Sequence, residues 1–258
     1  MKYIFYTFLL SLMLSSIIIY TSYRTSSSSS EIVFKPGSYA DSLRKKIERE
    51  NNFDYNKFLT LNADIQSATN TNIIDKSEAK NLFKYFNTQF FYLTKTAAES
   101  NFKNTVVVSS QLQECIRTLS KLDLDDPFLS KEKKQIISDY NSFSNHILLI
   151  NQSTAFYDRD TLCDEKKCDI YLNDLKSKVT TELVSNNNNL LVRTNEIIKN
   201  LTNLKDAHSV YKDAKEKINK NQAADISDLP ILLDNAHGIK FYQKKFKEIK
   251  QKNFKEIK

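Results

Sequence analysis

From Ser38 onward, apolar residues recur every three or four positions with polar residues between them, the spacing that lays one apolar stripe along a helix. The pattern predicts a first short helix capped by Ser38 and carrying Leu43 and Ile47, then a second carrying Phe58, Asn62 and Ile65. The third has the clearest signal. Asp75-Lys-Ser-Glu78 resembles a capping box, and behind it Ala79, Leu82, Phe83, Phe86, Phe90, Leu93 and Ala97 form one stripe. Tyr85, Phe91 and Tyr92 fall off that stripe, so the helix is either central or offers a second apolar surface. Val108, Leu112, Cys115, Ile116 and Leu119 continue the period, and Ser130 is read as the cap of a helix bearing Ile136, Tyr140, Phe143, Ile147 and Ile150. Leu172, Leu175, Val179 and Leu183 come next. After the Asn186–Asn189 tract, a turn or a polar patch, stand Leu190, Ile197, Leu201 and Leu204, and then Val210, Ala214 and Ile218.

Half-apolar helices of this length are marginal alone in water and must pack on one another. The expected fold is therefore all-α, an antiparallel multi-helix bundle over residues 38–238. Thr105-Val106-Val107-Val108 is the one β-branched run, too short to seed a sheet.

The N-terminus departs from this periodicity. Tyr3 to Tyr20 is an uncharged, mostly apolar run between Lys2 and Arg24, and Tyr3–Tyr23 is long enough for a bilayer core of about 30 Å. Tyrosines at both ends suit the headgroup level. Residues 1–24 thus read as a single-pass signal anchor or a cleaved signal peptide. The anchor is favoured, because no A-x-A pattern closes the run and Arg24 sits where cleavage would occur. Residues 25–37 are a Ser-rich linker. The short tail ahead of the apolar run places the body on the extracytoplasmic side, tethered to the membrane or secreted after cleavage.

Composition narrows the chemistry. Two glycines in 258 residues cannot build a phosphate-cradling loop, which needs several close together. His146, His208 and His237 lie on different elements without an HExxH neighbour, so no helical zinc site is written, and no cofactor is expected. Cys115 and His146 could form a nucleophile pair on adjacent helices, but Cys115 lies on a core-facing stripe. Asp158, Asp160, Asp164 and Asp169 fall at calcium-loop positions, yet Leu162 and Cys163 replace a ligand and the turning glycine. Cys163 and Cys168 are the expected disulfide of an oxidising compartment, provided the segment is not regular helix.

Charge is concentrated at one end. Residues 239–258 hold 8 Lys against 2 Glu, so +6 of the formal +7 sits there and the rest is close to neutral. On a helical wheel Ile239, Tyr242, Phe246, Ile249, Phe254 and Ile257 fall within about 140°. Lysines take most of the other side. This basic amphipathic helix either docks as the last helix of the bundle or serves as a partner or membrane surface. The residues assigned to that surface are Tyr242, Lys244, Lys245, Phe246, Lys247, Ile249, Lys250, Phe254, Lys255, Ile257 and Lys258. A protein partner and anionic lipid are the expected contacts; nucleic acid is not, since Arg is absent from the segment.

Arg49 with Phe53-Asp54-Tyr55, behind an apolar segment and a linker, resembles a short motif of membrane-anchored lipase chaperones. The likeness covers a tripeptide, with the Arg one residue out of place, and assigns no family. The sequence therefore supports a non-enzymatic extracytoplasmic interaction or structural protein. The alternatives are an exported enzyme with a Cys/His or carboxylate site, and a folding helper for exported proteins.

Overall fold

Capping side chains set where the helices begin. The computed structural model describes residues 34–159, 161–220, 241–242, 244–245, 247–249 and 251. All regular secondary structure among the described residues is helical: α1 (Tyr39–Glu48), α2 (Tyr55–Asn70), α3 (Lys76–Asn104), α4 (Ser110–Lys121), α5 (Pro127–Tyr157), α6 (Glu165–Val179), α7 (Glu182–Ser185) and α8 (Asn188–Asn219). The described residues of 241–251 are helical as well. The helical bundle expected from the periodicity is what the chain forms. Among the described residues no helix is long and apolar enough to cross a membrane. The Tyr3–Tyr23 run, Leu229-Pro230 and Gly238 lie outside the described residues.

The chain divides into two compact units, one of residues up to 50 with 59–89, the other of residues 51–58 with 90 onward. In the first, Ser38 caps α1 by accepting the Asp41 amide at 3.1 Å. Gly37, at φ 77°, turns the chain so that its own N–H reaches the Asp41 carboxylate. Lys45 and then Arg44 hold that carboxyl well below its usual range. Asn72 ends α2 in the left-handed region at φ 55°, which asparagine tolerates better than most residues. The Ile73 amide reaches back to Ala68 and the Asn72 amide to Thr69, closing a Schellman turn. Asp75 then caps α3 through the Glu78 amide at 2.8 Å, and Ala79, Leu82 and Phe86 are buried beyond it.

In the second unit α8 packs along α6 and α5, and α5 also meets α4 and α6. The core between them includes Phe143, Ile150, Leu172, Leu175, Leu190, Leu201 and Leu204. Phe90 and Phe91 are both fully buried, so Phe91 belongs to the core although it lies off the α3 stripe; Tyr92 remains about half exposed.

Three boundaries differ from the sequence reading. Ser130 does not cap α5. Asp126 does, accepting the amides of Phe128 and Leu129, and Pro127 occupies the first helical position, where its missing N–H costs nothing. Ser130 lies inside the helix, its amide bonded to the Asp126 carbonyl. The two stripes at 190–204 and 210–218 belong to one helix of 32 residues, since no glycine or proline interrupts them. The helix ends at Val179, and Val184 of short α7 is the buried residue there rather than Leu183.

Of the Asn186–Asn189 tract, Asn186 and Asn187 form the turn and Asn188 and Asn189 begin α8; Asn187 is completely buried. Its side-chain oxygen caps α8 by accepting the Leu190 amide at 2.9 Å. Its amide nitrogen donates to the carbonyls of Phe102 and Thr105, each at 2.7 Å. One side chain thereby satisfies a helix start and a helix end.

Candidate functional site

The start of α6 explains how two cysteines five positions apart come together. Asp164 is the cap, accepting the Lys167 amide at 3.1 Å. Cys163 stands just before the cap and Cys168 is the fourth helical residue, the two positions that an N-terminal hydrophobic staple brings into contact. Thus the segment is half connection and half helix. A sequence search for an Asx cap with small apolar residues one before and four after would have found this placement.

Both cysteines are free and buried. The two thiols interact across the cap, which together with burial pushes the Cys163 thiol far above its ordinary value; the same interaction draws the Cys168 thiol down against the opposing effect of burial. The Cys168 thiol also donates to the Leu201 carbonyl at 3.5 Å. Beside Cys163 lies a cavity of about 130 Å³ whose lining includes Arg159, Lys167, Phe156 and Leu204.

The same residue holds the C-terminal segment. The Cys163 amide donates to the Tyr242 phenol oxygen at 2.8 Å, and that hydroxyl lies 2.6 Å from Nδ1 of His208. Burial pushes the Tyr242 phenol well above its ordinary value, so it keeps its proton and donates it to Nδ1. The His208 proton is then on Nε2, which faces Glu165 at 3.4 Å. The rings of Tyr211 and His208 meet Tyr242 edge-on, at 5.7 and 5.9 Å between centroids.

Of the predicted surface residues, Tyr242 and Ile249 are buried, 1% and 7% exposed. Lys244 and Lys247 are exposed. Lys245 pairs with Glu248 at 2.8 Å and lies over the Phe241 ring. Phe246, Lys250, Phe254, Lys255, Ile257 and Lys258 fall outside the described residues.

The structure places Cys115 and His146 in unlike surroundings. Burial pushes the Cys115 thiol up to about 12, away from the thiolate a nucleophile needs. The His146 Nε2 lies 3.0 Å from the Thr194 hydroxyl, whose own proton goes to the Leu190 carbonyl. Nε2 must therefore carry the proton, and Nδ1 points into the core without a partner. Among the described residues no three His, Cys, Asp or Glu side chains gather to hold a metal. Asp164 serves as a cap and Asp169 pairs with Lys205 at 2.6 Å.

The Phe53-Asp54-Tyr55 tripeptide begins a helix. Asp54 accepts the amides of Asn56 and Lys57, and Tyr55 stacks on Phe58. Phe53 with Leu93 forms the apolar part of a cleft of about 340 Å³, whose other walls are neutral amides and hydroxyls such as Asn51, Asn52, Thr96 and Gln111. That lining can hydrogen-bond an uncharged polar group but supplies no acid, base or nucleophile. Asn101 at its edge is already committed to Ala97, Gln111 and Ser109.

Compared with protein-family models, curated proteins and solved structures, the chain matches none of them.

Proposed function

We propose that this is a non-enzymatic helical interaction or structural protein on the extracytoplasmic side, anchored by residues 1–24 or released there after cleavage. Its C-terminal segment presents lysines to a protein partner or to anionic lipid headgroups. The supporting observation is the two-sidedness of that segment: Tyr242 and Ile249 are buried, while Lys244 and Lys247 are exposed. A basic face mounted on a packed helix attracts negative surfaces without unfolding anything. An exported enzyme built on Cys115 and His146 would need a thiolate beside an imidazole. Here the thiol is pushed up by burial and the imidazole is committed to Thr194, which favours the binding reading.

The test is capture of the full chain from native membranes, with proteins and lipids that come down identified for wild type and for a Lys244→Glu/Lys247→Glu variant. Loss of the same protein or anionic lipid from the variant, with its melting temperature unchanged, is the expected result. An unchanged set of companions would remove the C-terminal lysines from the binding surface. Protease added to intact cells should cut the body and spare the first 24 residues if the anchor and its orientation are as stated.

A further inference from the structure

We infer that Cys163 and Cys168 are a reversible dithiol–disulfide pair whose closure tightens the seat of the C-terminal segment. Cys163 carries both the sulfur that reacts and the amide that grips Tyr242. This inference is independent of the membrane and partner readings above.

Three observations carry it. First, the staple positions on either side of the Asp164 cap set the two thiols toward each other, so closure needs a local adjustment and no refolding. Second, the pair is reachable from one side. Cys168 is fully buried, but Cys163 is 9% exposed and lines the cavity that also holds Arg159 and Lys167. Arg159 and Lys167 stand on its wall with the Asp164 carboxylate, which leaves one positive charge in excess beside the sulfur. Cys115, fully buried on α4, has no such access. Third, the Cys163 backbone is itself a docking group, because its N–H is bonded to the Tyr242 oxygen, 79 positions along the chain. A bond from its side chain into α6 restricts the backbone that presents that N–H.

The oxidant named by this chemistry is a low-molecular-weight disulfide. Cys163, the thiol that lines the cavity, gives its proton to solvent, a slow step because its surroundings hold that proton tightly, and becomes a thiolate. That thiolate attacks one sulfur of the external disulfide, breaking its S–S bond and releasing the first thiolate with the bonding pair. Cys168 gives up its proton and attacks the Cys163 sulfur, expelling the second thiolate. The two protein thiols are oxidised to one disulfide, the external disulfide is reduced to two thiols, and the two protons end on them.

The test compares the full chain in detergent micelles after treatment with oxidised glutathione or with a phosphine reductant. Intact mass and peptide mapping read the bond, and amide hydrogen exchange reads residues 241–251. The expected result is a Cys163–Cys168 peptide lighter by two hydrogens, unmodified Cys115, and exchange over 241–251 slowed about three- to tenfold by oxidation. Tyr242→Phe should still form the bond but lose most of that slowing, since the group that senses Cys163 is gone. A glutathione adduct that stays on Cys163 overturns the closure. A disulfide that forms without slowing 241–251, or that slows it equally in Tyr242→Phe, overturns the coupling.

Discussion

The phenol of Tyr242 accepts the backbone amide of Cys163 at 2.8 Å, and this bond joins the C-terminal segment to the start of α6. Because the same hydroxyl donates to His208, replacing Tyr242 with Phe strands two polar groups in a buried place. The expected loss is about 1–3 kcal/mol of stability. Tyr242→Ala should cost about 3–5 kcal/mol by adding a cavity. In both variants limited trypsin digestion should cut after Lys244 and Lys247 sooner than in the wild type, which mass spectrometry of the fragments will show.

Acid should weaken the second unit through its histidines. Burial, with a smaller contribution from Lys178, lowers His146 from 6.5 to about 4, and burial, with Lys212 adding and Glu165 opposing, lowers His208. For a depressed histidine the unfolded chain binds the proton more readily. The stabilisation is therefore complete above pH 6.5 and is lost as pH falls through 6.5 toward the folded value. His146 alone should account for roughly 2–3 kcal/mol between pH 7 and pH 4. Urea unfolding across that range measures it, and His146→Gln should flatten much of the slope.

Asn187 should be the least replaceable polar residue in the bundle. Asn187→Ala removes the α8 cap and leaves the Phe102 and Thr105 carbonyls without their donor, an expected loss of about 2–4 kcal/mol. Asn187→Asp is the sharper experiment. Aspartate is as good a cap, but it would turn an acceptor and a buried charge toward two carbonyls. Thermal melts should show Asp at least as damaging as Ala, the reverse of the order at an exposed cap.

The two candidates for the α5 cap separate cleanly. Asp126→Ala should lower stability by about 1 kcal/mol, and Ser130→Ala should change it by less than about 0.5 kcal/mol, as chemical denaturation will report.

These cases also mark what the amino-acid order reveals. Ser38 and Asp75 are legible because each cap bonds an amide three residues away, so cause and effect share one short stretch. The α5 start is ambiguous in the sequence because Asp125-Asp126-Pro127 reads equally as the end of a loop, and Ser130 is an acceptable cap by type. Asn187 could be read as a turn residue, but its two carbonyl partners stand 85 and 82 positions away and leave no local trace. The cysteine pair was legible as a pair. Its link to Tyr242 runs through a backbone N–H, which every residue but proline possesses and which side-chain patterns cannot single out.

The unbroken course of α8 gives the two histidine contacts a common fate. Thr194, which meets His146, and His208, which meets Tyr242, ride on the same rod about 21 Å apart. At one end a proton taken up by His208 takes the nitrogen that accepts from Tyr242; at the other, a proton on His146 puts a charge on a buried Nδ1 beside the helix. Both acid-sensitive histidines therefore bear on the same helix, one where it packs in the bundle and one where it holds the C-terminal segment.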